Sequence, residues 1–265
     1  MELNSNKLSI EACKRMFLRK FDISTNDMNE MKKLNLKNKN IYLIYDFLYS
    51  FVKLEYLDLS KNHLVLISSN ISNLTNLKIL DLSYNYLSDL PNEITSLVQL
   101  EKLNLEHNKL STLPDLNDLV NIKELFLGEN NIDIIPSGIN KMTKLEYLHL
   151  NNNKIRTLLD NEGNFILENL QILQILDLSH NELSSLPDNF NSLKNLEIMD
   201  ITYNCLLCLP KSLTKLENLK LYWENDEQEQ LVKNSENFED SDVKNFVANL
   251  FDSDESIEQS SNMYE

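Results

Sequence analysis

The sequence predicts a repeat solenoid of the α/β class, and three observations carry that expectation. The stretch 77–97, LKILDLSYNYLSDLPNEITSL, recurs along the chain. An asparagine recurs at one place inside it, and every proline of the chain falls at one other. Aligned on their first apolar residue, the units begin at Met31, Leu54, Leu77, Leu100, Ile122, Leu145, Leu173 and Leu196, spaced 23, 23, 23, 22, 23, 28 and 23 residues apart. Eight coils are therefore expected.

Each part of the unit has a physical reason. The opening L-x-x-L-x-L alternates like a short, half-buried strand. Asn62, Asn85, Asn108, Asn130, Asn153, Asn181 and Asn204 then turn the chain, with Lys39 standing at that place in the first unit. An asparagine amide has two donors and an acceptor with which to satisfy backbone groups of neighbouring coils. Pro91, Pro114, Pro136, Pro187 and Pro210 each follow that asparagine by six residues. A single coil cannot bury its own apolar side, so copies must stack above and below it.

This pattern, L-x-x-L-x-L-x-x-N-x-L-x-x-L-P-x-x-I-x-x-L, resembles the leucine-rich repeat, in the 23-residue variety of intracellular Ras-group and Scribble-type scaffolds. The resemblance runs from Met31 to Leu216. It implies a right-handed solenoid curved into a horseshoe, with a parallel sheet on the concave face and short helical or irregular segments on the convex one. It also implies partners such as a small GTPase or a phosphatase catalytic subunit, while helical caps at both ends are expected because an open solenoid end would expose its leucines to water.

The chain divides into an N-terminal helical cap (1–30), a solenoid of eight repeats (31–218), a C-terminal cap (219–251) and an acidic tail (252–265) expected to be disordered. The cap reading at the N-terminus rests on Ile10, Cys13, Phe17 and Phe21 at helical spacing after Ser9. Two irregularities interrupt the array. The unit after Asn108 is one residue short near Asp115, and the unit after Asn153 carries five extra residues between Leu159 and Asn169, expected to bulge outward. Past Trp223, thirteen acidic residues stand against Lys233 and Lys244, a local charge of −11 within a total of −16.

Composition narrows the function classes. There is no apolar run long enough to cross a bilayer. Three cysteines, Cys13, Cys205 and Cys208, do not make the paired disulfide caps of extracellular relatives, which favours a cytoplasmic or nuclear location. A pI near 4.7 and the lack of a basic stripe argue against nucleic acid. No phosphate-binding loop, nucleophile elbow or zinc-protease helix occurs, so the expectation is a protein that is not an enzyme and uses no cofactor or metal.

Function is then expected on the outward side of the strands, where parity places the third and fifth residues of each unit, with the eighth just beyond. The candidate partner-binding residues are Tyr56, Lys102, Glu124 and Tyr147 at the third position, Phe126 and His149 at the fifth, and Tyr84, His107, Glu129, His180 and Tyr203 at the eighth. Phe126, flanked by Tyr147 and the small Gly128, is the centre of that set, because large exposed aromatic groups mark partner sites. The recurring aspartates Asp58, Asp81 and Asp177 are read as strand-edge structure. Two functions remain: a scaffold that grips a protein on its concave face, or the targeting subunit of a phosphatase, deadenylase or ubiquitin ligase whose catalyst is another chain.

Overall fold

The computed structural model describes residues 14–21, 24 and 30–223. Nine three-residue strands form one open parallel sheet in chain order: β1 (Lys33–Asn35), β2 (Tyr56–Asp58), β3 (Ile79–Asp81), β4 (Lys102–Asn104), β5 (Glu124–Phe126), β6 (Tyr147–His149), β7 (Ile175–Asp177), β8 (Ile198–Asp200) and β9 (Lys220–Tyr222). Register follows the sequence alignment, so that Leu57, Leu80, Leu103, Leu125, Leu148 and Leu176 lie side by side. Each strand bonds only the coil before and the coil after it, which makes a curved solenoid rather than a closed barrel.

The core is a file of leucines. The fourth and sixth residues of each unit, such as Leu80 with Leu82 and Leu125 with Leu127, are fully buried, and Leu77, Leu87, Ile94 and Leu97 meet them from the rest of the coil. Shortening one of them to alanine should cost about 2–5 kcal/mol, since neighbouring coils cannot close over the gap.

The asparagines tie the coils together as the amide chemistry requires. Asn108 donates through Nδ2 to the carbonyl oxygens of Leu105, Glu106 and, in the preceding coil, Leu82, while its Oδ1 accepts from the amide of Leu87. The same set recurs at Asn85, Asn130, Asn153, Asn181 and Asn204. In the first coil Lys39 cannot accept in this way. There the Oδ1 of Asn62 takes both the Lys39 and the Ile41 amides.

On the far side, short 3-10 helices at Asp46–Ser50, Ser69–Asn73, Asn92–Ser96, Ser137–Lys141, Phe190–Ser192 and Lys211–Lys215 return the chain toward the next strand. Pro91, Pro136 and Pro210 stand immediately before three of them at φ between −65° and −72°, the value the proline ring imposes. Where proline is missing, Ser68 accepts from the Asn70 amide through its side chain.

The irregularities have local solutions. In the short unit, the missing residue brings the segment around Asp115 onto the next coil. A Cβ at Gly138 would lie 2.8 Å from the Asn117 amide nitrogen, so only glycine fits. The five-residue insertion closes into a small hairpin. Leu159 bridges Phe165, the Asp160 carboxylate accepts the amides of Glu162 and Asn164, and Gly163 takes the positive φ of the turn. Phe165, Ile166 and Leu167 are buried, with the Phe165 ring 4.8 Å from that of Phe190. The expected outward bulge is therefore a hairpin whose second arm returns to the core.

At the ends, residues 14–20 are helical, Leu18 is buried, and the Phe17 ring meets Phe47 edge-on at 5.0 Å. Ser9, Ile10 and Cys13 fall outside the described residues, as do residues 224–265. The sheet continues past the eight repeats, into the segment expected as the C-terminal cap. Strand β9 extends the sheet beyond residue 218, pairing Leu221 with Met199 and burying Trp223. One residue is missing between Leu219 and this strand, so the leucines run L-x-L where the pattern is L-x-x-L, and that slip hides the unit from a fixed frame.

Candidate functional site

The outward face divides the expected residues into two groups with different surroundings. Tyr56, Lys102, Glu124 and Tyr147 occupy one row across the sheet, in direct register, and each is half-buried. Phe126 and His149 occupy the next row, between Asn104 and Asp177. The remaining residues, Tyr84, His107, Glu129, His180 and Tyr203, stand on the turn that follows, all with φ between 52° and 55°. The amides of the first four reach carbonyl oxygens of the next coil, as Tyr84 to Glu106 and His180 to Thr202, both at 2.9 Å, and this continuation of the ladder fixes the left-handed turn.

Most fifth-position residues are structural. In Asp58, Asp81, Asp177 and Asp200 one carboxylate oxygen accepts both the amide and the hydroxyl of the Ser or Thr two residues on, the hydroxyl bond being 2.7 Å each time. Each therefore holds the end of its strand. Burial raises the carboxyl groups of Asp81 and Asp200 above the ordinary range, with a neighbouring aspartate adding to the effect in each case.

The three central strands abandon this Asp-x-Ser arrangement. They carry Asn104 with Glu106, Phe126 with Gly128, and His149 with Asn151. Asn104 still accepts the amide two residues on, which leaves the Glu106 side chain to reach across two coils to within 3.8 Å of the His149 Nδ1. Phe126 stands half-buried at the centre. The His149 ring packs edge-on against it at 4.7 Å, the Lys102 ammonium lies 4.8 Å above it, and Lys102 also pairs with Glu124 at 2.5 Å. The Asn151 side-chain amide lies over Gly128, where a Cβ would come 2.4 Å from Oδ1 and displace it. Beside this centre Tyr147 directs its hydroxyl at Gln174, 3.4 Å away, whereas Tyr56, three strands away on β2, directs its own at Asp58, 3.3 Å away.

His149 is buried rather than an open contact, because it closes the side of Phe126. The turn residues do not join the Phe126 cluster. Tyr84 stacks on His107 at 4.0 Å and His180 on Tyr203 at 4.2 Å, two separate pairs along the rim. Glu106 and Asn151 belong to the central cluster and were not among the expected residues. Their signal is present in the sequence as the three consecutive units without Ser or Thr two residues after the fifth position. Among the described residues no group of three His, Cys, Asp or Glu side chains could hold a metal ion, and no helix is long and apolar enough to cross a membrane.

Comparison with known proteins agrees with this geometry. Leucine-rich repeat models match residues 53–74, 65–110, 120–163 and 173–193. Among solved structures, a leucine-rich repeat protein of Leptospira interrogans is 30% identical with a TM-score of 0.61, covering 77% of this chain and 59% of its own. An internalin C2 of Listeria monocytogenes is 27% identical with a TM-score of 0.65, covering 75% of this chain and 83% of its own. The ectodomain of the Arabidopsis thaliana receptor kinase GASSHO1/SCHENGEN3, solved in complex with CASPARIAN STRIP INTEGRITY FACTOR 2, is 29% identical with a TM-score of 0.60, covering 67% of this chain and 22% of its own. The protein thus spans less than two thirds of the length of the first and third of these chains. A comparison with curated proteins returns no match. Sequence period, asparagine ladder, parallel sheet and these likenesses together establish that the chain carries leucine-rich repeats and folds as an open leucine-rich repeat solenoid.

Proposed function

We propose that the protein is a non-catalytic scaffold that holds a protein partner on its concave face, centred on β4 to β6. The observation that carries this reading is the loss of Asp followed two residues on by Ser or Thr from those three strands alone among β2 to β8. Four other strands show what the fold uses for stability at that position, so Phe126 and its surround are not explained by folding. A half-buried aromatic ring held between a histidine and a lysine, with tyrosine and glutamate beside it, has the composition of an interface anchor. Proteins with this repeat generally serve as interaction scaffolds, which supports the reading.

The 23-residue period and proline position ally the chain with the intracellular Ras-group and Scribble-type repeats, and exposed free thiols at Cys205 and Cys208 suit a reducing compartment. Small GTPases and phosphatase catalytic subunits are accordingly the first partners to try. Affinity purification with the wild type beside Phe126→Asp and Tyr147→Asp tests the proposal. Both variants change half-buried outward positions and should stay folded by circular dichroism while losing the principal partner. Retention of every partner by both folded variants would remove the concave face from consideration. Recovery of an enzymatic activity with the wild type would favour the targeting-subunit role.

A further inference from the structure

The two rims of the sheet are built differently. Along the rim where the strands begin, second-position residues alternate in charge, and Lys32, Glu55 and Lys78 are joined at 2.8 Å, as are Glu101 and Lys123 at 2.7 Å. That rim neutralises itself. Along the rim where the strands end, the positions on either side of the turn residue hold no Asp or Glu in the first four coils, and His63, Tyr84, Tyr86 and His107 place rings at four of them. Tyr42, His63 and Tyr86 stack in one file, at 4.6 and 5.8 Å, with the Lys109 ammonium 5.0 Å from the Tyr86 ring. Beside it Tyr84 stacks on His107, with the Lys61 ammonium 5.1 Å from the Tyr84 ring. Tyr42, Tyr84 and Tyr86 remain 66%, 47% and 45% exposed. Among the described residues neither Lys61 nor Lys109 has a carboxylate within ion-pair distance, unlike the lysines of the opposite rim.

The backbone does not account for these rings. The turn forces a left-handed conformation on the residue before each asparagine. Asn38 and Asn152 show the residue type that tolerates it best, whereas Tyr84 is a bulky side chain in a region it rarely adopts. Strain of this kind, held where an easier residue would serve, points to a function for the side chain.

We propose that this rim is a second interaction surface, separate from the sheet face, that receives an acidic segment of a protein partner. Rings already stacked lose little freedom on binding, phenol hydroxyls donate hydrogen bonds, and two ammonium groups that no carboxylate of the described residues pairs supply the complementary charge. A basic segment would meet Lys61 and Lys109 as like charges. The overall charge of −16 does not oppose local recognition, because at physiological salt fields are screened within about 8 Å.

Selection of a random peptide display library on the immobilised full-length chain tests this directly. Enrichment of Asp- and Glu-rich peptides is expected. It should be abolished by Lys61→Glu with Lys109→Glu, and by Tyr84→Asn, and kept by Phe126→Asp, which tests the concave face alone. Tyr84→Asn should also melt no lower than the wild type, so loss of selection in that variant cannot come from unfolding. Enrichment of basic peptides, no enrichment, or enrichment that survives the rim variants overturns the proposal. So does acidic enrichment that appears only after removal of residues 224–265, since the rim then belongs to the chain's own acidic segment.

Discussion

At the scale of the residue, one amide does the work of four hydrogen bonds. Asn108→Ala leaves the buried Leu87 amide without a partner and removes one of two donors from the carbonyl oxygens of Leu82, Leu105 and Glu106, which keep Asn85, Asn130 and the Tyr84 amide, and should lower stability by about 1–3 kcal/mol in urea unfolding. The aspartates behave differently. Asp200 accepts from Thr202 at the cost of a buried charge, and its carboxyl is raised chiefly by that burial. A carboxyl raised in the fold is destabilising when ionised, and the loss is relieved as pH falls through its folded value. Asp200→Asn keeps the acceptor, as Asn104 does naturally, and should leave the melting temperature at pH 7 unchanged or higher, whereas Asp200→Ala should lower it. Glu55 has the opposite sign. Hydrogen bonds from Lys32 and Lys78 hold its carboxyl near 2, so its favourable contribution is present above the ordinary glutamate range and is lost as pH falls toward 2. An NMR titration should find that midpoint, and the double change Lys32→Met and Lys78→Met should return it to the usual value. The asparagines and inward leucines were legible because one residue type meets one demand at a fixed interval. Glu106 and Asn151 were legible only as departures from the Ser or Thr two residues after the fifth position, since their contacts run between coils and depend on what Phe126 and Gly128 leave open.

At the scale of the element, the array tolerates irregularity only where a specific side chain repairs it. The hairpin after Asn153 returns Phe165 to the core against Phe190, so Phe165→Ala should cost about 3 kcal/mol although the insertion lies outside the repeat pattern. Gly138→Ala should destabilise because the added methyl meets the backbone at Asn117, and restoring one residue near Asp115 should recover part of that loss. Both effects are measurable by thermal melting. Strand register was readable from sequence for β1 to β8, where the period holds. Strand β9 was hidden by a one-residue slip. The rim escaped for another reason: left-handed backbone and ring stacking follow from the turn that the asparagines impose, and no spacing rule anticipates them.

At the scale of the whole molecule, a stack in which each coil bonds only its neighbours leaves one broad surface that no part of the described chain covers. Stability in such arrays is shared between adjacent units, so a change at Phe126, on the outer side, should leave the core and its cooperativity intact. The surface is graded: aromatic and cationic groups at the rim of the early coils, the Phe126 cluster at the centre, and aspartates on β7 and β8. A partner that uses the centre should therefore be oriented by charge, with a basic part over the later strands. The most direct measurement places a photo-crosslinking amino acid at Tyr147, beside Phe126, or at Glu93 on the opposite side of the coil, and identifies what each captures in cells. Capture of a discrete protein partner from position 147 but not from position 93 is the predicted result. The same partner captured from position 93 and not from 147 would contradict it.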